Sequence, residues 1–221
     1  MPKPDLTKAF MTGSDQTTEW MLPWMLDNYQ KHNTTPITVV DFGMTDKMLY
    51  HLESRVHSIG KLETKRNVAT WFYKPGAMLN SPYKSTCWLD TDIEVLGDIS
   101  PIFDNLLYEK LHMVIDVPWS KRGGNTMFNS GVVAFRGKPE VLKRWNQHCY
   151  EYPQRGDQET LHAMLDPLQQ AIHIKELSHS YNVLRLDHID GTAPKDILIN
   201  HYNFIITQVV QSIMIQLCLS L

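Results

Sequence analysis

The sequence predicts an α/β fold with a mostly parallel central sheet flanked by helices. Strand-like apolar runs such as ITVVDF (37–42) alternate with helix-length amphipathic segments, the order expected of β-α-β units. The runs lack polar alternation, as strands buried on both faces do. Glycine, proline, serine and aspartate cluster between the segments and punctuate them as turns.

Taken in order, residues 8–12 (KAFMT) read as a first short strand ended by Gly13, Ser14 and Asp15. Thr17 or Thr18 can cap a helix over 19–31, with Trp20, Leu22, Trp24, Met25 and Tyr29 facing the core and Pro23 in the first turn. Residues 37–42 form a strand closed by Gly43. Segment 45–54 looks helical, 56–59 weakly strand-like, and 67–79 helical despite Pro75 and Gly76, with Phe72 and Tyr73 read as core aromatics ahead of a ring-stacking role at a ligand. Further strands are expected at 85–89, 113–117 and 128–135. Pro139 at a first helical position opens a helix to about Tyr150, and a second short helix covers 157–165.

The 221 residues suit one domain, assigned to 1–203, followed by an apolar tail over 204–221. A hydrophobic share of 43% with 20% charged residues is enough to build a full core. A formal charge of −3 without a Lys/Arg cluster gives no nucleic-acid footprint. Three cysteines (Cys87, Cys149, Cys218) cannot all pair and lack metal spacing, and the N-terminus lacks the apolar core of a signal peptide. The expected compartment is the cytoplasm. Gln, Ser and Thr interrupt the tail FIITQVVQSIMIQLCLSL, so it reads as a core element ahead of a membrane-surface anchor, and poorly as a spanning helix.

The chemistry concentrates in YKSTCWLDTDIEVLGDISPIFD (83–104). Cys87, Trp88 and Leu89 lead into Asp90 and Asp92, whose i, i+2 spacing turns both carboxylates to one face at a strand end. Hard oxygen donors placed this way suit Mn²⁺ or Mg²⁺, and a divalent ion suits a diphosphate. Chance alone supplies about one D-x-D in such a chain, so context decides. Thr12–Asp15, Asp90–Asp92 and Asp116 all follow strand ends, where ligands gather in open α/β sheets.

With WLDTDIEVLGDISPIFD in place, the chain resembles glycosyltransferases of the GT-A fold, closest to family 8, the glycogenin and bacterial galactosyltransferase group. Lys74 sixteen residues before Asp90, the segment Phe128-Asn129-Ser130-Gly131, and Gly156-Asp157-Gln158-Glu159 recur in order over about residues 8–203. The resemblance implies a metal-dependent transfer of a hexose from a UDP-sugar to an acceptor hydroxyl, with retention of configuration. It implies Asp90, Asp92 and His201 as ligands of Mn²⁺, with His188 as the rival histidine. It implies donor contacts by Thr12, Ser14, Asp15, Lys74, Asp90, Thr91, Asn129, Ser130 and Gly131, and places Asp157 and Gln158 against the reacting sugar. Asp116 reads as a turn residue or an acceptor contact. The chain departs from the family after His201, reading Tyr202-Asn203-Phe204 where the family carries a glycine and a K-P-W-type closing segment.

Rival readings fit less well. A dehalogenase-type phosphatase wants Thr or Val where Glu94 stands, and a nucleotidyltransferase wants a Gly-rich basic loop where MTGSDQTTEW stands. A noncatalytic nucleotide-sugar or carbohydrate-binding module of the same fold remains the alternative.

Overall fold

The computed structural model describes residues 7–65 and 68–202. The tail at 204–221, Cys218 and the first residue of the helix expected from 67 lie outside the described residues. Strand β1 (Lys8–Ser14) is third from one edge of the sheet, with β2 (Ile37–Asp41) and then β3 (Ser58–Lys61) parallel on that side. On the other side come β4 (Ser85–Leu89), β7 (Phe128–Arg136), β6 (Leu111–Ile115) and β8 (Ile174–Glu176). Only β7 runs against its neighbours in this seven-stranded sheet. A second sheet joins β5 (Ile93–Val95), β10 (Ile199–His201) and β9 (Val183–Leu184), with β10 antiparallel to β5 and parallel to β9.

Both faces of the large sheet are buried, which explains the unbroken apolar runs. Phe10, Cys87, Leu89, Val132 and Ala134 point to one face, where α1 (Leu22–His32) adds Leu22, Met25, Leu26 and Tyr29. Met11, Trp88, Val133 and Phe135 point to the other. There α3 (Lys74–Leu79), α5 (Glu140–Glu151) and α6 (Asp157–Met164) bring Met78, Trp145 and Leu161. Helix α2 (Asp46–Leu52) joins β2 to β3 and is capped by the Thr45 side chain. No helix among the described residues is long and apolar enough to cross a membrane.

Several elements differ from expectation, each for a local reason. Strand β1 runs two residues further because Gly13 and Ser14 still pair with Val40 and Asp41. The first helix begins as a 3-10 turn, Glu19–Met21, and neither threonine caps it. The Asp15 carboxylate instead accepts from the Thr17 and Thr18 amides. Segment 70–79 divides into a 3-10 turn (Thr70–Tyr73) and α3, with Pro75 inside the first turn of α3. The strand expected at 113–117 ends at Ile115, because Asp116 caps α4 (Val117–Gly123), accepting from the Trp119 amide with Pro118 in the first turn. Pro139 stands one residue before α5 rather than at its first position.

Helices α4, α7 (Pro167–His173) and α8 (Arg185–Asp190), strand β8 and the strands of the second sheet have no counterpart in the sequence reading. For α7 the signal was present: Asp166 and Gln169 form a capping box around Pro167.

Candidate functional site

The carboxyl ends of β1, β2 and β4 and the amino end of the reversed strand β7 lie at one edge of the sheet. There a cavity of about 400 Å³ is lined by Gly13, Thr18, Lys74, Asp90, Asp92 and Asp157, among others. Asp90 follows β4 directly, and its backbone N–H donates to the Gly131 carbonyl at 2.8 Å. Two residues on, Asp92 enters β5, where antiparallel register sets His201 opposite Ile93. The Tyr202 N–H donates to the Asp92 carbonyl at 3.0 Å, so the two chain segments are clipped together at this point. Asp90, Asp92 and His201 thereby bring one ligand atom each to within 4.8 Å of one another.

Two carboxylates and an imidazole at that spacing fit a divalent cation of the Mn²⁺ or Mg²⁺ type. His201 Nε2 stands 3.1 Å from Asp92 Oδ1. Burial disfavours its charged form, but the nearby Asp92 and Asp90 carboxylates outweigh burial and raise its pKa. His188, the rival, is exposed and pairs with Asn200 instead.

Gly131 is required by this approach. A Cβ there would lie 2.5 Å from His201 Nδ1, clash with the adjacent ring carbon Cε1, and stand 2.9 Å from Asn129 Oδ1. Around it β7 is irregular: its register with β6 jumps from Met113↔Val133 to Val114↔Asn129. Bulges of this kind free backbone groups beside active sites. Here the Ser130 N–H donates to Gln158 Oε1 at 3.0 Å rather than to a strand.

Lys74 is the hub of the second half of the site. It is 3% exposed, not a solvated helix lysine, because α3 packs against α5 and Asp157 at the start of α6 closes over the ammonium. Its ammonium reaches Asp90 at 3.1 Å, Asp157 at 3.0 Å, and both the carbonyl and hydroxyl of Ser130 at 3.1 Å. Burial opposes the lysine charge, yet Asp157 and Asp90 raise its pKa overall. Asp157 is held above the usual carboxylate range by burial, which Lys74 only partly offsets. The Trp88 indole N–H also donates to Asp90, at 2.7 Å.

The remaining expected residues take defined places. Thr91 is buried and lines the cavity. Gln158 and Asn129 each direct an amide N–H toward Asp116 Oδ2 at 3.4 Å. Asp116 is buried, and that burial raises its pKa. Of the first loop, Gly13 and Thr18 line the cavity, while Thr12 and Ser14 lie buried beneath it. The Asp15 carboxylate gathers Thr17, Thr18 and Thr70; burial raises its pKa, but these hydrogen bonds bring it below the usual value.

Sequence reasoning missed Asn182, which bonds His201 and Asn129 from the segment before β9. It also missed Thr70, Trp71 and Arg155 as cavity-lining residues. Only the position of Arg155 two residues before Asp157 offered a signal.

No family model matches the chain, and no curated protein matches it in sequence. Solved structures do. The galactosyltransferase LgtC, crystallised with donor and acceptor sugar analogs, aligns with a TM-score of 0.64 and 14% identity over 89% of this chain and 87% of LgtC. An active-site mutant of LgtC gives a TM-score of 0.66 at 13% identity over the same shares. The glycosyltransferase GlyE of Streptococcus pneumoniae TIGR4 gives 0.66 at 18% identity, over 90% of this chain and 55% of GlyE. At these identities the likeness establishes the architecture: the chain has the GT-A fold of these glycosyltransferases.

Proposed function

We propose that the protein is a metal-dependent glycosyltransferase that moves a hexose from a UDP-sugar to an acceptor hydroxyl with retention of configuration. The observation that carries this reading is the convergence of Asp90, Asp92 and His201 at one end of a sheet shared with LgtC, whose structure holds donor and acceptor sugar analogs. Asp90, Asp92 and His201 would hold Mn²⁺ or Mg²⁺, whose charge, when bound, offsets the charge that builds on a departing diphosphate.

The chain's own residues supply position and field. Lys74 holds Asp90 and Asp157 in fixed orientation and adds positive charge beside the donor site. Thr12, Ser14 and Asp15 shape the first loop for the nucleotide, and Thr91, Asn129, Ser130 and Gly131 form the wall against the donor sugar. Asp157 and Gln158 face the reacting carbon. The Gln158 carbonyl is already spent on the Ser130 amide, so its role is dipolar rather than nucleophilic. A front-face displacement follows, in which the leaving phosphate helps deprotonate the acceptor hydroxyl. Catalysis then rests on orientation and charge stabilisation. The cysteine usage favours the cytoplasm.

Calorimetric titration of UDP and of GDP, with Mn²⁺ and then with EDTA, tests the proposal against an Asp92→Asn control. The expected result is Mn²⁺-dependent UDP binding that the variant loses. Absence of nucleotide binding in either condition overturns it. UDP-sugar binding without UDP release identifies the noncatalytic binding module instead.

A further inference from the structure

The geometry points to Asn182 as a positioning residue that fixes the tautomer of His201 and so aims its free nitrogen lone pair at Asp90 and Asp92. This rests on the metal-site reading above and extends it to a residue outside the ligand set. The argument starts from a group with no ambiguity, the backbone N–H of Gly131, which can only donate. It lies 2.8 Å from Asn129 Oδ1, so that atom is the amide oxygen of Asn129. The same oxygen is 2.8 Å from Asn182 Nδ2, which must therefore be the donating end of Asn182. That leaves Asn182 Oδ1 facing His201 Nδ1 at 3.0 Å, and an oxygen can only accept.

His201 Nδ1 then donates to Asn182, and a charged ring also donates from Nε2 to Asp92, 3.1 Å away; Nε2 is the nitrogen left with a lone pair when the ring is neutral. Asn129, Asn182 and His201 are 5%, 1% and 5% exposed, so water cannot substitute for a missing partner. The backbone conformation of β7 is thus transmitted through two side-chain amides to the ring nitrogen at the site. Outer partners of this kind typically change metal affinity about 10–100-fold.

Two readouts test it. In metal-free protein at alkaline pH, long-range ¹H–¹⁵N correlation of the imidazoles, with His201→Ala to assign the signal, should show the Nδ1–H tautomer. Asn182→Leu should lose that signature, whereas Asn182→Asp, which keeps the acceptor for Nδ1 while giving up the donor to Asn129, should retain it. An Nε2–H pattern in the unaltered protein, or an Nδ1–H pattern surviving in Asn182→Leu, overturns the assignment. Mn²⁺ titration followed by electron paramagnetic resonance should show about 10–100-fold weaker binding in Asn182→Leu and a smaller loss in Asn182→Asp. Unaltered affinity in Asn182→Leu also overturns it. Failure of the unaltered protein to bind Mn²⁺ sinks the metal reading alone, since the tautomer is read without metal.

Discussion

Replacing Lys74 with methionine keeps an unbranched apolar side chain, one heavy atom shorter, and removes the ammonium with both its charge and its hydrogen bonds to Ser130 and Asp90. Lys74 and Asp157 are 3% and 7% exposed, and the lysine stands between Asp157 at 3.0 Å and Asp90 at 3.1 Å. Removing one partner of a buried pair leaves the other charge uncompensated, at about 3–5 kcal/mol. For a domain of this size each kcal/mol moves the melting temperature about 2–4 °C, so Lys74→Met should lower it by about 6–20 °C. The Asp157 pKa, already raised, should rise further without its cation. A carboxyl whose folded pKa lies above its unfolded value favours folding at low pH and loses that contribution as pH rises through the folded pKa. The deficit of the variant should therefore shrink on acidification, and adding Asp157→Asn should recover much of it at neutral pH. Thermal melts of the four members of this cycle, each at neutral and acid pH, make the measurement. A single variant melting within about 2 °C of the parent refutes the reasoning, as does a double variant no more stable than Lys74→Met.

Gly131→Ala should push the His201 ring from its place, at about 1–3 kcal/mol of overpacking, and weaken Mn²⁺ binding; melts and paramagnetic titration check both. His112, buried with Nε2 accepting from the Leu107 amide, has its pKa lowered to about 4 by burial and by Lys175 and Lys110. The unfolded chain then binds the extra proton, so stability should fall as pH drops from about 6.5 to about 4; urea titrations should show this component missing in His112→Gln. Asp166→Ala removes the capping box of α7 and should cost about 1 kcal/mol in chemical denaturation without altering Mn²⁺ binding.

What could be read from the chain was local. The aspartate strand, the run ending at Phe42 and the helix after Pro139 declare themselves through composition over five to twelve residues. Lys74 was singled out only through the family resemblance; its burial had no local trace, because it is imposed by α5, which arrives some seventy residues later. The choice of His201 over His188 depends on antiparallel pairing with β5, a long-range event with no local trace. Strands of two or three residues, as in β9 and β10, are too short for any period to show. Asn182 carried no signal because its role is defined wholly by two partners distant in sequence.

The small sheet also dictates when the site can exist. Tyr202 reaches back across 108 residues to Glu94, with its hydroxyl 2.6 Å from that carboxylate, and the strand it ends supplies the imidazole. A ribosome extending this chain will have released both aspartates long before His201 emerges. Until then the growing polypeptide carries two of the three candidate ligands, and closing so wide a loop is among the slower steps of assembly. The Asp90–Asp92–His201 cluster is therefore a property of the finished β5–β10 pairing, and should appear in refolding experiments after the large sheet has formed.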